Sequence, residues 1–186
     1  GNITALGWAL VSQARIDALR GRLDEAAAGL DGAEEHFAQS GNAWALARVH
    51  NHYGWVERRR GDLAAAERHF RDAIRILKPL EDRGTLCESQ RGLAQVLVQR
   101  GKIDEAESYA LESRETVGPH DNVSRSTTRM ALGLVRAAQG RDEEAEALLR
   151  EALDVIEGSV FLIRRELLSA LAGFAAFCLA VLALQR

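Results

Sequence analysis

Five histidines and three pairs of adjacent carboxylates have the most chemistry to offer in this chain. His36, His50, His52, His69 and His120 could ligate a metal or carry a proton near neutral pH. His50 and His52 are two residues apart. On a helix such residues point roughly 200° away from each other, so they cannot close on one ion as an i, i+4 pair can. The pairs Asp24/Glu25, Asp104/Glu105 and Glu143/Glu144 could share a proton only if their side chains met, and sequence neighbours on a helix do not face each other. Cys87 and Cys178 are far apart and have no metal or redox spacing; both are expected to be buried free thiols. Glycines stand singly, unlike a phosphate-cradling loop, and no Ser/His/Asp or Cys/His arrangement emerges from the spacing. The expectation is a chain without catalytic, cofactor-binding or metal-ligating residues, and not an enzyme.

The elements that carry these residues are helical by composition. The chain has 186 residues, 47% of them hydrophobic, with 2 prolines and 5% aromatics. Ala, Leu, Arg and Glu dominate, and all four favour helix. A net charge of −3 lacks the basic excess of a dedicated nucleic-acid binder. Neither a secretion signal nor a Met opens the chain, which suggests a cytoplasmic piece of something longer. In that setting the sequons at Asn2 and Asn122 are chance matches.

A repeat organises the chain. "GRLDEAA" at Gly21, "GDLAAAE" at Gly61, "GKIDEAE" at Gly101 and "GRDEEAE" at Gly140 are spaced by 40, 40 and 39 residues. Pro79 and Pro119 keep the same phase, as do Gly133 and Gly173. Each unit predicts an amphipathic helix, a glycine that stops it in the left-handed conformation, and a second helix. The carboxylate pairs fall in the second helix's first turn, where the helix dipole favours negative charge. Small residues sit two turns before the stop (Ala14, Gly54, Ala94, Gly133) and in the second helix (Ala26, Ala66, Ala106, Ala145), where two helices must approach closely. Leu30, Phe70 and Leu149 would fill the space between neighbouring units. One hairpin cannot bury its apolar face alone, so the units stack.

This pattern resembles the tetratricopeptide repeat, or TPR, in units of about 40 residues instead of 34. "YGWVERRRGDLAAAERHFRDAI", Tyr53 to Ile74, carries the family's aromatic–Gly pair, its Gly61, Ala66, Phe70 and Ala73. "LGLVRAAQGRDEEAEALLREAL" from Leu132 matches nearly as well, while Ala14 and Ala94 replace the usual Gly in the other two units. The resemblance covers roughly residues 3–179 and is similar to long repeats of bacterial regulators that follow an ATPase or nucleotide-cyclase module. It implies an all-α fold, a right-handed α-solenoid of stacked antiparallel helix hairpins. The expected units are 3–41, 42–81, 82–120 and 121–158, with 159–186 as an apolar terminal helix.

The resemblance also implies a use. In this family one face of each first helix lines a concave surface. Carried over by register, that face holds Trp8, Val11 and Arg15, then Arg48, Asn51, Trp55, Arg58 and Arg59. It continues through Glu88, Arg91, Gln95 and Gln99 to Thr127, Met130 and Leu134. Arg suits carboxylates and Trp supplies stackable apolar area. The expected partner is therefore a protein or peptide, with an acidic or C-terminal peptide as the specific reading, and the expected role is interaction, scaffolding or regulation. The family's Lys/Asn/Arg clamp for peptide carboxylates is not reproduced, since only Asn51 and scattered arginines match it.

The end of the chain breaks the pattern. Leu167 to Leu184 is an uncharged run of 18 residues, and Ala180 stands where a helix-ending glycine is due. A helix apolar all round needs burial on every side. A homodimer through Leu171, Phe174, Phe177 and Val181, a bilayer, or a further part of a larger array could each supply it.

Overall fold

The computed structural model describes residues 3–118 and 121–158. Eight α-helices lie among them: α1 (Ile3–Leu19), α2 (Leu23–Gln39), α3 (Ala43–Arg60), α4 (Leu63–Leu77), α5 (Arg83–Gln99), α6 (Ile103–Thr116), α7 (Asn122–Ala138) and α8 (Asp142–Gly158). A single 3-10 turn, Lys78–Leu80, follows α4. The helices pack as four hairpins, α1 on α2, α3 on α4, α5 on α6 and α7 on α8. The second helix of each of the first three hairpins packs on the first helix of the next. The first helices α1, α3, α5 and α7 also touch in series, which makes theirs the inner side of the stack.

Backbone chemistry sets the turns. Gly21, Gly61, Gly101 and Gly140 all have positive φ, from 72° to 89°, in the region that costs a side chain roughly 1–2 kcal/mol. A Cβ at these glycines would meet nothing within 4 Å, so conformation and not space requires them. Between hairpins the solution varies. Gly41 takes φ 64° after α2, but Glu81 takes φ 56° before α5. Asn42, Asp62, Asp82 and Asp121 cap α3, α4, α5 and α7 by accepting hydrogen bonds from the backbone N–H three residues on. α2, α6 and α8 instead carry acidic first turns, with Asp24/Glu25, Asp104/Glu105 and Asp142/Glu143/Glu144. Some of these carboxylates also tie hairpins together, as Asp24 does with Arg60 and Glu105 with Arg71.

Size complementarity locks the hairpins. Ala26, Ala66, Ala106 and Ala145 are fully buried, as are Ala14 and Ala94. Phe70 is the large partner in the middle of the stack. A Cβ on Gly54 of α3 would stand 2.6 Å from its ring, and one on Gly92 of α5 would stand 2.5 Å away. The ring therefore occupies the space of two missing side chains, one in its own hairpin and one in the next. Leu149 packs instead on Gly133 within its own hairpin, 3.2 Å from where a Cβ would lie.

No described helix is long and apolar enough to cross a membrane. The apolar run and the candidate self-association residues Leu171, Phe174, Phe177 and Val181 lie outside the described residues, as do His120 and Cys178. Cys87 is buried in α5, where its Sγ donates to the Ser113 carbonyl at 3.3 Å, and burial pushes its thiol up to about 11.

Candidate partner-binding groove

The first helices enclose a groove on the inner side of the stack. Its first compartment, about 440 Å³, is bounded by α1, α2, α3 and α5. Ala14, Ala18, Leu19, Leu30 and Val56 give it an apolar wall, while Arg15, Arg48, Arg59 and Arg91 bring positive charge against the single carboxylate of Glu88. A second compartment of about 480 Å³ continues toward α7, along Trp44, Asp82, Thr85, Val123 and Thr127. Arg48, Glu88 and Arg91 line both and form the ridge between them.

Tryptophan rings hold the arginines in place. The Arg48 guanidinium lies 5.5 Å from the Trp8 ring centre and 5.1 Å from that of Trp44. Trp8 rests in turn on Phe37, with centroids 4.9 Å apart, and the Trp44 indole N–H donates to Asp82 at 2.5 Å. Arg91 and Arg58 lie 5.1 and 5.6 Å from the Trp55 ring centre, and Trp55 packs edge-on against Phe70. Cation–π contact uses the flat face of a guanidinium and leaves its N–H edge free to donate. The side chains of Arg48 and Arg58 make no hydrogen bond or ion pair among the described residues, and the Nε of each is buried without a partner. The Trp55 Nε1 and the His52 Nε2 are buried and unpartnered as well. Arg91, with a side chain only 18% exposed, has one loose ion pair, to Glu88 at 4.0 Å. Burial lowers the pKa of Arg91 despite the opposing pull of Glu88, and it lowers that of Arg58, helped by repulsion from Arg91. These are donors with too few acceptors.

The sequence-expected face is only partly on this surface. Arg15, Arg48, Trp55, Arg59 and Arg91 line the first compartment. Arg59 is also a tie, donating to the Ala18 carbonyl of α1. Trp8 and Arg58 line neither compartment and are half-buried; Trp8 touches Arg48, and Arg58 touches Trp55. Asn51 turns inward: it is 1% exposed and accepts from the Ser89 hydroxyl of α5 at 3.0 Å. Gln95 is buried too, at 6% exposure. In the fourth hairpin Met130 is buried and Leu134 half-buried, while Thr127 edges the second compartment.

His52 is the groove residue that sequence reasoning passed over. It lies between Arg48 and Trp55 at helical spacing, and burial pushes its pKa down to about 4. Glu88 opposes that shift, and the positive charges of Arg15 and Arg48 add to it. The signal that places His52 is the 48, 52, 55, 59 spacing, which marks one face of α3. His50 points elsewhere, with its Nδ1 3.2 Å from the His69 Nδ1 of α4, and no group of three or more possible metal ligands occurs among the described residues.

Solved structures similar to this chain include BtubC (BKLC) from P. vanneervenii. It is 19% identical, with TM-score 0.71 over 88% of this chain and 67% of that one. The nearly identical TPR-like repeats of a Podosopora anserina protein described as a kinesin light chain are 17% identical, with TM-score 0.68 over 100% of this chain and 90% of that one. At such identities the likeness is one of fold, stacked helix hairpins of the TPR kind. No curated protein matches the chain. The model of the MalT-like TPR region matches residues 2–177, nearly the whole length, and the chain belongs to that family.

Proposed function

We propose that this chain is a non-catalytic recognition module that binds an acidic protein segment in the groove of its first helices. The observation that carries this is the set of arginines laid on tryptophan faces with few acceptors: the Arg48 and Arg58 side chains have none among the described residues, and Arg91 has only its loose pair with Glu88. Preorganised donors of this kind bind with little ordering cost, and a groove that is both cationic and apolar favours acidic residues flanked by apolar ones. The probe is an array of randomised octapeptides incubated with the intact chain. Enrichment of Asp or Glu beside an apolar residue is expected, and so is its loss in the Arg48→Gln/Arg91→Gln variant. Binders without acidic residues, or none at all, would contradict it.

A second role is favoured by the family match. Membership in the MalT-like TPR region supports a regulatory segment of a bacterial cytoplasmic protein, whose ATPase, cyclase or DNA-binding module lies outside these residues. In that setting groove occupancy would be the signal. The two roles are compatible, since both need the groove to select one ligand.

A further inference from the structure

The ridge between the two compartments is the most unusual place in the groove. Arg48 and Arg91 reach it from different helices, and each is fixed by an indole. Two guanidiniums brought to one ridge repel each other unless an anion sits with them. The anion present is Glu88, one turn before Arg91 on α5, and it stands 4.0 Å from the Arg91 guanidinium, beyond hydrogen-bonding distance. No other acidic residue lines the first compartment, and Asp82 of the second is taken up by the Trp44 indole and the Thr85 backbone N–H. Charge-assisted bonds to carboxylate are ordinarily about 2.7–2.9 Å long and often bidentate. The contact here is a carboxylate held in the right region with the wrong geometry. Helical spacing does not impose the gap, since Glu57 and Arg60 at the same spacing on α3 meet at 2.9 Å; the long contact is particular to the ridge.

We propose that Glu88 is a built-in placeholder: the Arg48/Arg91 ridge is a seat for one Asp or Glu side chain of a bound peptide, and that carboxylate displaces Glu88. This rests on the peptide-binding reading above and specifies its central contact. The bound segment would put its carboxylate on the ridge, where the Arg48 side chain has no acceptor among the described residues. The apolar side chain next to it would lie along Ala18, Leu30 and Val56. A peptide is favoured over a nucleic-acid backbone because the apolar wall runs directly beside the cations. A chain of phosphates would leave that wall uncovered and the second compartment's Asp82 opposed.

The placeholder makes a prediction of unusual sign. Removing the charge of Glu88 should tighten binding, since the ligand no longer competes with a resident carboxylate and no longer meets a like charge. The probe is the strongest acidic octapeptide from the array, labelled with fluorescein and followed by polarisation. Glu88→Gln in the intact chain should lower its Kd by about three- to tenfold, and replacing the peptide's acidic residue by its amide should raise Kd by about tenfold or more. The Gln variant keeps the shape of the side chain, and its circular dichroism should match the parent. An acidic peptide whose Kd is unchanged or raised in Glu88→Gln would overturn the placeholder while leaving peptide binding intact. An array without acidic binders would overturn both. A phosphate-rich oligonucleotide that displaces the peptide with a steep salt dependence would overturn the choice of ligand.

Discussion

Truncating Phe70 to alanine is expected to cost about 3–5 kcal/mol, the largest loss from any single side chain in the stack. The ring is fully buried and fills the space above two glycines on different helices. Its removal opens a cavity that neither Gly54 nor Gly92 has a side chain to close. The backbone could collapse only by moving α3 and α5 together, and both carry the groove. Trp55 stacks edge-on against the same ring, so its indole loses its support. A denaturant melt should therefore show an early transition by tryptophan emission as well as by helical content. A midpoint shift worth less than about 1 kcal/mol would mean that the hairpins are held mainly by other contacts. Gly92→Ala tests the same geometry from the other side, because its Cβ would meet the ring at 2.5 Å.

Acidification is expected to destabilise the fold through His52 well before the carboxylates titrate. The folded pKa is about 4, against an ordinary value of 6.5, because burial opposes the charged ring. Between those two values the unfolded chain binds a proton that the folded chain does not, so stability falls as pH drops through 6.5 and levels off below about 4. The charges facing the ring are Arg15 on α1, Arg48 on α3 and Glu88 on α5. From pH 7 to pH 5 the loss should be about 2 kcal/mol. In His52→Gln most of that slope should vanish. A residual slope is expected from His69, whose pKa is also lowered by burial and by His50. Equal slopes in parent and variant would show that His52 is not held neutral by the fold.

Much of this architecture was legible in the sequence because it depends on residues with few conformational substitutes. A glycine in the left-handed region has a backbone reason that survives any context, and four of them in phase fix four hairpins. Gly41 was harder to see because the equivalent place before α5 is filled by Glu81 in the same conformation. Phe70 was recognisable as a filler, but its second cavity was not. Gly92 has His52 in the corresponding place one unit earlier, so periodicity gave no hint of it. The groove was legible as a face and not as a register. Asn51 and His52 are one residue and about 100° apart on α3, and a family-based stripe cannot resolve that difference. What settles it is the Ser89 hydroxyl on α5, which turns Asn51 inward and leaves His52 on the groove. Whether an arginine is paired is likewise a property of neighbouring helices. Arg60 and Arg71 find carboxylates across hairpin boundaries, and Arg48 finds two indoles.

All three tryptophans of the chain lie in or beside the groove, which gives the most direct measurement of where a partner sits. Nitrogen-resolved NMR of the indole N–H groups, with an acidic octapeptide from the array titrated into the intact chain, would report each one separately. The Trp55 resonance is expected to move most, because its Nε1 is buried without a partner beside Arg91, and Trp44 should follow. Backbone amides of α4 and α6, away from the inner helices, should stay in place. Saturable binding that leaves all three indoles unmoved while shifting α4 and α6 would contradict the groove as the recognition surface.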